Sequence, residues 1–286
     1  RNGKKKKNPA TKYPKFLTLL TKDQLSQLLD FTRKVAEDVG IFIEKERRHF
    51  SMDRVEHKGF NDLVSYVDKE AEQQCVSRLQ EIFPEAGFIT EEGTNTTRGE
   101  TYNWVIDPLD GTTNFIHGLP VFAVSIGLME QEEVVLGVVY EVNRKECFYA
   151  YKGGGAFCNG VAIQVSKAPN LAASLIATGF PYYQFDLIDR YMAIMKSLMQ
   201  KTHGLRRLGS AAVDLCYVAA GRSEGYFEYN LNSYDVAAGV LLVQEAGGQV
   251  TDFKGENDFV FGRRVVASNQ LTHEALLAVI QANFKI

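Results

Sequence analysis

Apolar residues Leu25, Leu28, Leu29, Val35, Val39 and Phe42 recur near helical spacing and predict a first helix. Thr21-Lys-Asp-Gln24 ahead of them fits a capping box. Ala71, Cys75, Leu79 and Ile82 predict a second helix over 67–83, closed by Pro84. Residues 58–68 between the two read as a loop or short ribbon. The period then shortens. Residues 87–90, 102–106, 122–130, 133–142 and 146–151 are rich in Val, Ile, Phe and Tyr and predict strands, with Glu130-Gln-Glu-Glu133 and Asn143-Arg-Lys145 as the polar turns of an antiparallel meander. Lys152-Gly-Gly-Gly155 reads as a tight hairpin turn, since no Gly-Lys-Ser/Thr follows to make a P-loop.

Beyond residue 155 strands and helices alternate. Strands are predicted at 175–178, 204–208, 224–228, 250–253 and 265–267, and helices at 185–201, 211–220, 234–246 and from a Thr272 cap to 283. Gly247-Gly248 supplies a helix stop. The pattern is a layered α/β protein with three parts: a basic tail (1–16), an N-terminal α+β subdomain (17–155) and a C-terminal α/β subdomain (156–286). The 286 residues, 45% hydrophobic and 23% charged, supply apolar material for two fused cores.

Charge changes the picture at one end only. The net charge is −3, yet residues 1–15 hold seven cations and no acid, so the remaining chain is acidic. That body argues against broad nucleic-acid binding, which needs clustered cations. The tail can touch an anionic partner, or be a solvated extension with a processed or trimmed start, which is the plainer reading. Cys75, Cys147, Cys158 and Cys216 show no C-x-x-C pairing and read as reduced thiols of a cytoplasmic protein. Neither a membrane span nor a secretory signal is expected.

The chemistry concentrates in Trp104-Val-Ile-Asp107-Pro108-Leu109-Asp110-Gly111-Thr112-Thr113-Asn114-Phe115. An apolar strand delivers Asp107, Pro108 fixes φ at the exit, and Gly111 permits an unusual turn into a helix start. Two carboxylates three residues apart can converge on one point, which helix-start amides would share with a phosphate. Carboxylates and phosphate repel unless a hard cation such as Mg²⁺ lies between them. Glu91 and Glu92 end the preceding strand, and Asp68 and Asp235 each begin a helix, where an acid is ordinarily a cap.

Residues 104–115 closely resemble the first signature of the inositol monophosphatase family, and Asp235-Val-Ala-Ala-Gly-Val-Leu-Leu-Val-Gln-Glu-Ala-Gly-Gly248 resembles the second. Thr90-Glu-Glu-Gly and Asp62-Leu-Val-Ser-Tyr-Val-Asp68 resemble the connecting motifs, in the same order and spacing. The resemblance covers roughly residues 20–286. It implies an αβαβα sandwich of two fused α/β subdomains, a homodimer, inhibition by Li⁺ and two to three Mg²⁺ per site. By resemblance, Glu91, Asp107, the Leu109 carbonyl and Thr112 are ligands of one ion. Asp107, Asp110 and Asp235 are ligands of a second, and Glu91 helps hold a third through water. Direct hydrolysis by a metal-activated water, oriented by Glu91, Thr112 and Asp68, is the implied reaction. Gly111 and Thr112 match phosphate contacts; Ser210, Ala211, Glu228 and Asp235 match contacts to substrate hydroxyls, and Asp110 joins the substrate side.

Some positions depart from the family. Tyr234 stands where Trp is usual, which implies a packing change, and Lys58 is offset by one position, which leaves its role open. His117 is expected to be structural, and Trp104 and Phe115 core. Thr113-Asn114 favours inositol monophosphate over fructose bisphosphate or nucleotide 3′-phosphate, with other sugar or polyol phosphates open. The competing class is a regulatory binding protein of the transcription machinery. Crowded carboxylates also imply that Mg²⁺ raises the melting temperature, more at neutral than at acid pH.

Overall fold

The computed structural model describes residues 19–51, 55–59, 62–181 and 185–284, with the backbone alone in 55–59 and 62–64. The basic tail and the Lys58 side chain lie outside the described residues. Helix α1 (Lys22–Arg47) starts on the Thr21 capping box: Thr21 Oγ1 accepts from the Gln24 amide at 3.3 Å, and Gln24 Oε1 accepts from the Thr21 amide at 2.8 Å. The 58–68 segment is a ribbon of β1 (Val55–Gly59) and β2 (Asp62–Ser65), paired antiparallel and running straight into α2 (Tyr66–Ile82). Both helices bury one apolar stripe.

A seven-stranded sheet follows: β3 (Gly87–Thr90), β4 (Tyr102–Asp110), β5 (Ala123–Glu130), β6 (Glu133–Glu141), β7 (Glu146–Tyr151), β8 (Ala156–Cys158) and β9 (Val161–Ala162), in that spatial order. β3 and β4 pair parallel and every other pair is antiparallel. The last two strands extend this sheet past the change expected near residue 155. Their turn is Asn159-Gly160, both at positive φ, a hairpin signal that the glycine run just upstream obscures.

A five-stranded sheet occupies the second half: β10 (Leu175–Thr178), β11 (Gly204–Arg206), β12 (Gly225–Tyr229), β13 (Gln249–Thr251) and β14 (Arg264–Ser268), ordered β11-β10-β12-β14-β13. Its helices are α4 (Ile188–Met199), α5 (Ala211–Ala219), α6 (Ser233–Glu245) and α7 (His273–Asn283). Helices α1 and α2 cover the outer face of the first sheet, α5 and α6 lie between the sheets, and α4 and α7 cover the second. This is the five-layer αβαβα sandwich. Helix α6 shows why the middle layer forms. Val236 to Val243 are all buried, and a helix apolar on every side needs a sheet on each flank.

Three differences from the sequence reading have local causes. β11 stops at Arg206, because the Leu208 carbonyl accepts from Asn114 Nδ2 and leaves the sheet edge. Helix α4 begins at Ile188, three residues late, with no side-chain cap at Leu187. Thr272 sits at the start of α7 but does not cap it; its hydroxyl donates to Asn269 Oδ1 at 2.8 Å. Trp104 and Phe115 are fully buried, while His117 is exposed at the end of α3 (Thr112–His117). The four cysteines are free thiols. Among the described residues no helix is long and apolar enough to cross a membrane.

Candidate functional site

Strand β4 does not end at Ile106. It continues through Pro108 to Asp110, and its register against β5 slips between Asp107 and Asp110. A proline is tolerated at such an irregularity because no ladder donor is required of it. The slip turns the chain back on itself. Leu109 N donates to Asp107 Oδ1 at 3.0 Å, and Gly111 takes φ +95° ahead of α3. A side chain at Gly111 would be strained in that conformation, and its Cβ would stand 2.9 Å from the Val121 carbonyl.

Thr112 opens α3 with its hydroxyl 2.9 Å from Asp68 Oδ1 and 3.0 Å from the Leu109 carbonyl. Asp68 is the third residue of α2, and its other oxygen accepts from Ser65 N at 2.8 Å and Ser65 Oγ at 2.6 Å. The residue that closes the capping box on Ser65 is therefore also the neighbour of Thr112. Asp235 occupies the same third position in α6 and accepts from Asn232 N at 2.6 Å. Asp110 reaches across to the second half, where Ser210 Oγ at 2.6 Å and Ala212 N at 2.7 Å donate to its Oδ2. Gly209, at φ +92°, lets α5 begin there; a Cβ would strike Arg207 and Asn114.

These elements enclose a cleft of about 280 Å³. Glu91, Asp107, Leu109, Asp110, Gly111, Thr112, Ser210, Ala211, Glu228 and Asp235 all line it. Asp68 does not; it stands behind Thr112, one hydrogen bond away. Tyr234 lines the cleft as well.

Burial pushes the acids up first, and their mutual charge adds to it. Glu91 is raised well above the carboxylate range by burial, then by Asp235, Glu92 and Asp68. Asp107 is raised likewise, with Glu91, Asp110 and Asp235 adding to burial. Asp235 reaches about 7, through burial and Asp110, against the Asn232 amide and Arg263. Asp110 reaches only about 6, because Ser210 and the Ala212 and Ala211 amides oppose the burial. Glu228, whose Oε2 accepts from Tyr226 Oη at 2.6 Å, is pushed to about 8, chiefly by burial. Asp68 is raised by burial, against Ser65 and Thr112.

Among the described residues no three of the His, Cys, Asp or Glu side chains are already gathered into a closed cation cage. Asp107 accepts from the Leu109 amide, Asp110 from Ser210 and the Ala212 amide, and Asp235 from the Asn232 amide, so each of the three has an oxygen held by a donor of the protein. Among the described residues Glu91 Oε2 is buried with no hydrogen-bond partner. An orphaned buried carboxylate oxygen is costly, and a set of hard oxygen donors around it fits Mg²⁺.

Other residues were not expected as site residues. Glu72, fully buried on α2, accepts from Glu92 N and Thr94 N, both at 2.7 Å, and so fixes the turn that carries Glu91. An acid on the apolar stripe four residues after Asp68 was the available signal. Asp214 lines the cleft from α5, its Oδ1 also buried without a partner among the described residues, and burial with Glu228 and Asp110 nearby raises it well above its ordinary range. Asn114 ties the signature to the second half by donating to the Val121 and Leu208 carbonyls, both at 2.8 Å.

The site is thus an oxygen-rich cleft on an αβαβα sandwich. The chain belongs to the inositol monophosphatase family, whose sequence profile matches residues 24–284. Members of this family are Mg²⁺-dependent phosphatases. It is 41% identical over 262 residues to the Nus factor SuhB of Pseudomonas aeruginosa, covering 90% of this chain and 97% of that one. An inositol-1-monophosphatase of Mesorhizobium japonicum is 38% identical over 257 residues, covering 90% and 97%. The solved IMPase of Thermotoga maritima superposes with a TM-score of 0.83 at 36% identity, over 90% and 97% of the two chains.

Proposed function

We propose that the chain hydrolyses phosphate monoesters of polyols, inositol monophosphate first among them, with two to three Mg²⁺ per site. The observation that carries this is the crowding of Glu91, Asp107, Asp110 and Asp235 on one cleft, with Glu91 Oε2 unpartnered among the described residues. Glu91, Asp107, the Leu109 carbonyl and Thr112 would hold one ion, and Asp107, Asp110 and Asp235 a second, with Glu91 contributing to a third. When bound, Mg²⁺ acidifies water, neutralises phosphoryl oxygens and eases the departure of the alkoxide.

The chain's own groups supply the rest. Thr112 Oγ1, bridging toward Asp68, orients the attacking water with Glu91, and Asp68 can take up the proton that Thr112 relays. The amides of Gly111 and Thr112 donate to phosphate oxygens. Asp110, Ser210, Ala211, Glu228 and Asp235 meet the hydroxyls of the polyol. Inhibition by Li⁺, a homodimer and a cytoplasmic location belong to the same reading. It is tested by phosphate release from inositol 1-phosphate, glucose 6-phosphate and a nucleotide 3′-phosphate, with Mg²⁺, with EDTA and with added LiCl. Mg²⁺-dependent, Li⁺-sensitive release fastest from inositol 1-phosphate is expected. Faster release from another ester would change the substrate, and no release from any would overturn the enzymatic reading.

One observation favours a second role beside the first: relatives about 40% identical carry the name Nus factor. A regulatory contact with the transcription machinery would use the outer surface. Capture of RNA polymerase by the full chain, compared with a chain lacking residues 1–16, tests it; no capture by either removes it.

A further inference from the structure

One arginine outside the cleft gathers the segment that begins α6. Asn230, Leu231 and Asn232 lead into that helix, and all three line the cleft. The carbonyl of Arg263 accepts from Asn230 N at 2.7 Å and from Leu231 N at 3.3 Å. Its guanidinium donates to Asn232 Oδ1 at 2.8 Å through one nitrogen, and to Asn230 Oδ1 at 2.5 Å and the Asn230 carbonyl at 3.2 Å through the other. Asn232 is the cap residue whose amide donates to Asp235 Oδ2. The chain of contacts thus runs from Arg263 through Asn232 to Asp235.

The backbone adds a second sign. Arg263 and Asn230 both sit in the left-handed region, at φ +61° and +69°. Asparagine tolerates that region, whereas a long side chain such as arginine is disfavoured there, and such strain persists only where surrounding contacts over-determine it. Here the over-determining contacts are the five bonds to Asn230, Leu231 and Asn232. A planar fork with several donors suits this task, and a lysine ammonium does not reproduce it. Arg264, the next residue, lines with Arg263, Tyr229 and Asn230 a small hollow of about 150 Å³ and is absent from the cleft lining.

We propose that Arg263 is a positioning residue for Mg²⁺: its fork fixes the start of α6 so that Asp235 is presented to the ion. This rests on the metal assignment proposed above. Groups that orient a ligand from behind change metal affinity by about ten- to a hundredfold when removed.

The experiment is Mg²⁺ binding to the full chain by calorimetry without substrate, for wild type, Arg263→Lys, Arg263→Met and Arg264→Met. Melting of each metal-free protein is recorded alongside. The expected result is an affinity about tenfold weaker for both Arg263 variants and unchanged for Arg264→Met, whatever the metal-free melting temperatures. Wild-type affinity in either Arg263 variant would overturn the proposal, and so would equal weakening in Arg264→Met. If the Arg263 variants do not fold, Asn230→Ala removes one acceptor of the fork and must weaken Mg²⁺ binding in the same direction. Failure of wild type to bind Mg²⁺ would instead overturn the metal assignment itself.

Discussion

Asp107 and Asp235 line the same cleft from opposite halves of the chain, and they are held by different means. The backbone that presents Asp107 is shaped locally. A strand end, a register slip, Pro108 and the left-handed Gly111 bend the backbone so that Leu109 N returns to its carboxylate. Asp235 is held by a helix cap, and the cap is held by Arg263, which lies 28 positions further along. The first arrangement is a folded-up piece of local geometry; the second is a chain of contacts across the fold. A locally held carboxylate resists distant substitution and fails when its own turn is changed. A remotely held one fails in the opposite way.

The largest expected effect lies where the two halves join. Asp110→Asn removes a charge between the strand arm and Ser210–Ala212, and phosphate release should fall by more than about a hundredfold, beyond the range for outer residues. Loss of less than tenfold would show that the halves need not meet there. Gly111→Ala attacks the local arm. Left-handed strain and the approach to the Val121 carbonyl should lower stability by about 1–3 kcal/mol and depress activity; urea unfolding measures the first.

Metal and pH sharpen the comparison further. The raised acids bind protons in the folded state that they release when unfolded, so metal-free stability is fullest below about pH 4 on their account. It falls as pH rises through about 6 for Asp110, about 7 for Asp235 and about 8 for Glu228. Mg²⁺ requires the ionised forms, so its stabilisation should grow over that same rise. Melting curves at pH 5.5 and 7.5, with and without Mg²⁺, check both slopes; equal Mg²⁺ shifts at the two values would contradict them. Glu72→Gln is the gentler change. It weakens the hold on Glu92 and Thr94, and Mg²⁺ affinity should drop by about tenfold with the fold intact. Smallest is Glu228→Gln, where KM for inositol 1-phosphate should rise several-fold with kcat little changed, about 1 kcal/mol of hydroxyl contact.

The local arm was legible in the chain because its parts are contiguous: an apolar strand, Pro108, two acids, Gly111 and Thr112. Asp68 and Asp235 were legible as acids at helix starts and as parts of the motifs that surround them. The caps are Ser65 and Asn232, and the two acids close the capping boxes from the third position, a double use that needed the fold. Most helices and strands were legible from period alone, while β8 and β9 were hidden by the glycine run and the α4 start by the lack of a cap. Arg263 left no signal at all. No period or motif distinguishes it from Arg264, and only the closing of β14 against β12 brings its fork to Asn232.

The most direct test of the account is the melting of Asp107→Asn against wild type at pH 7.5, each with EDTA and with saturating Mg²⁺. If Asp107 is held in this buried crowd of carboxyls for an ion, its neutral replacement relieves repulsion and removes a ligand. The metal-free variant should then melt at or above wild type. The Mg²⁺ shift, roughly 5–10 °C in wild type at a hundred times Kd, should be largely lost. A variant that keeps the full Mg²⁺ shift, or whose metal-free form melts well below wild type, would contradict it.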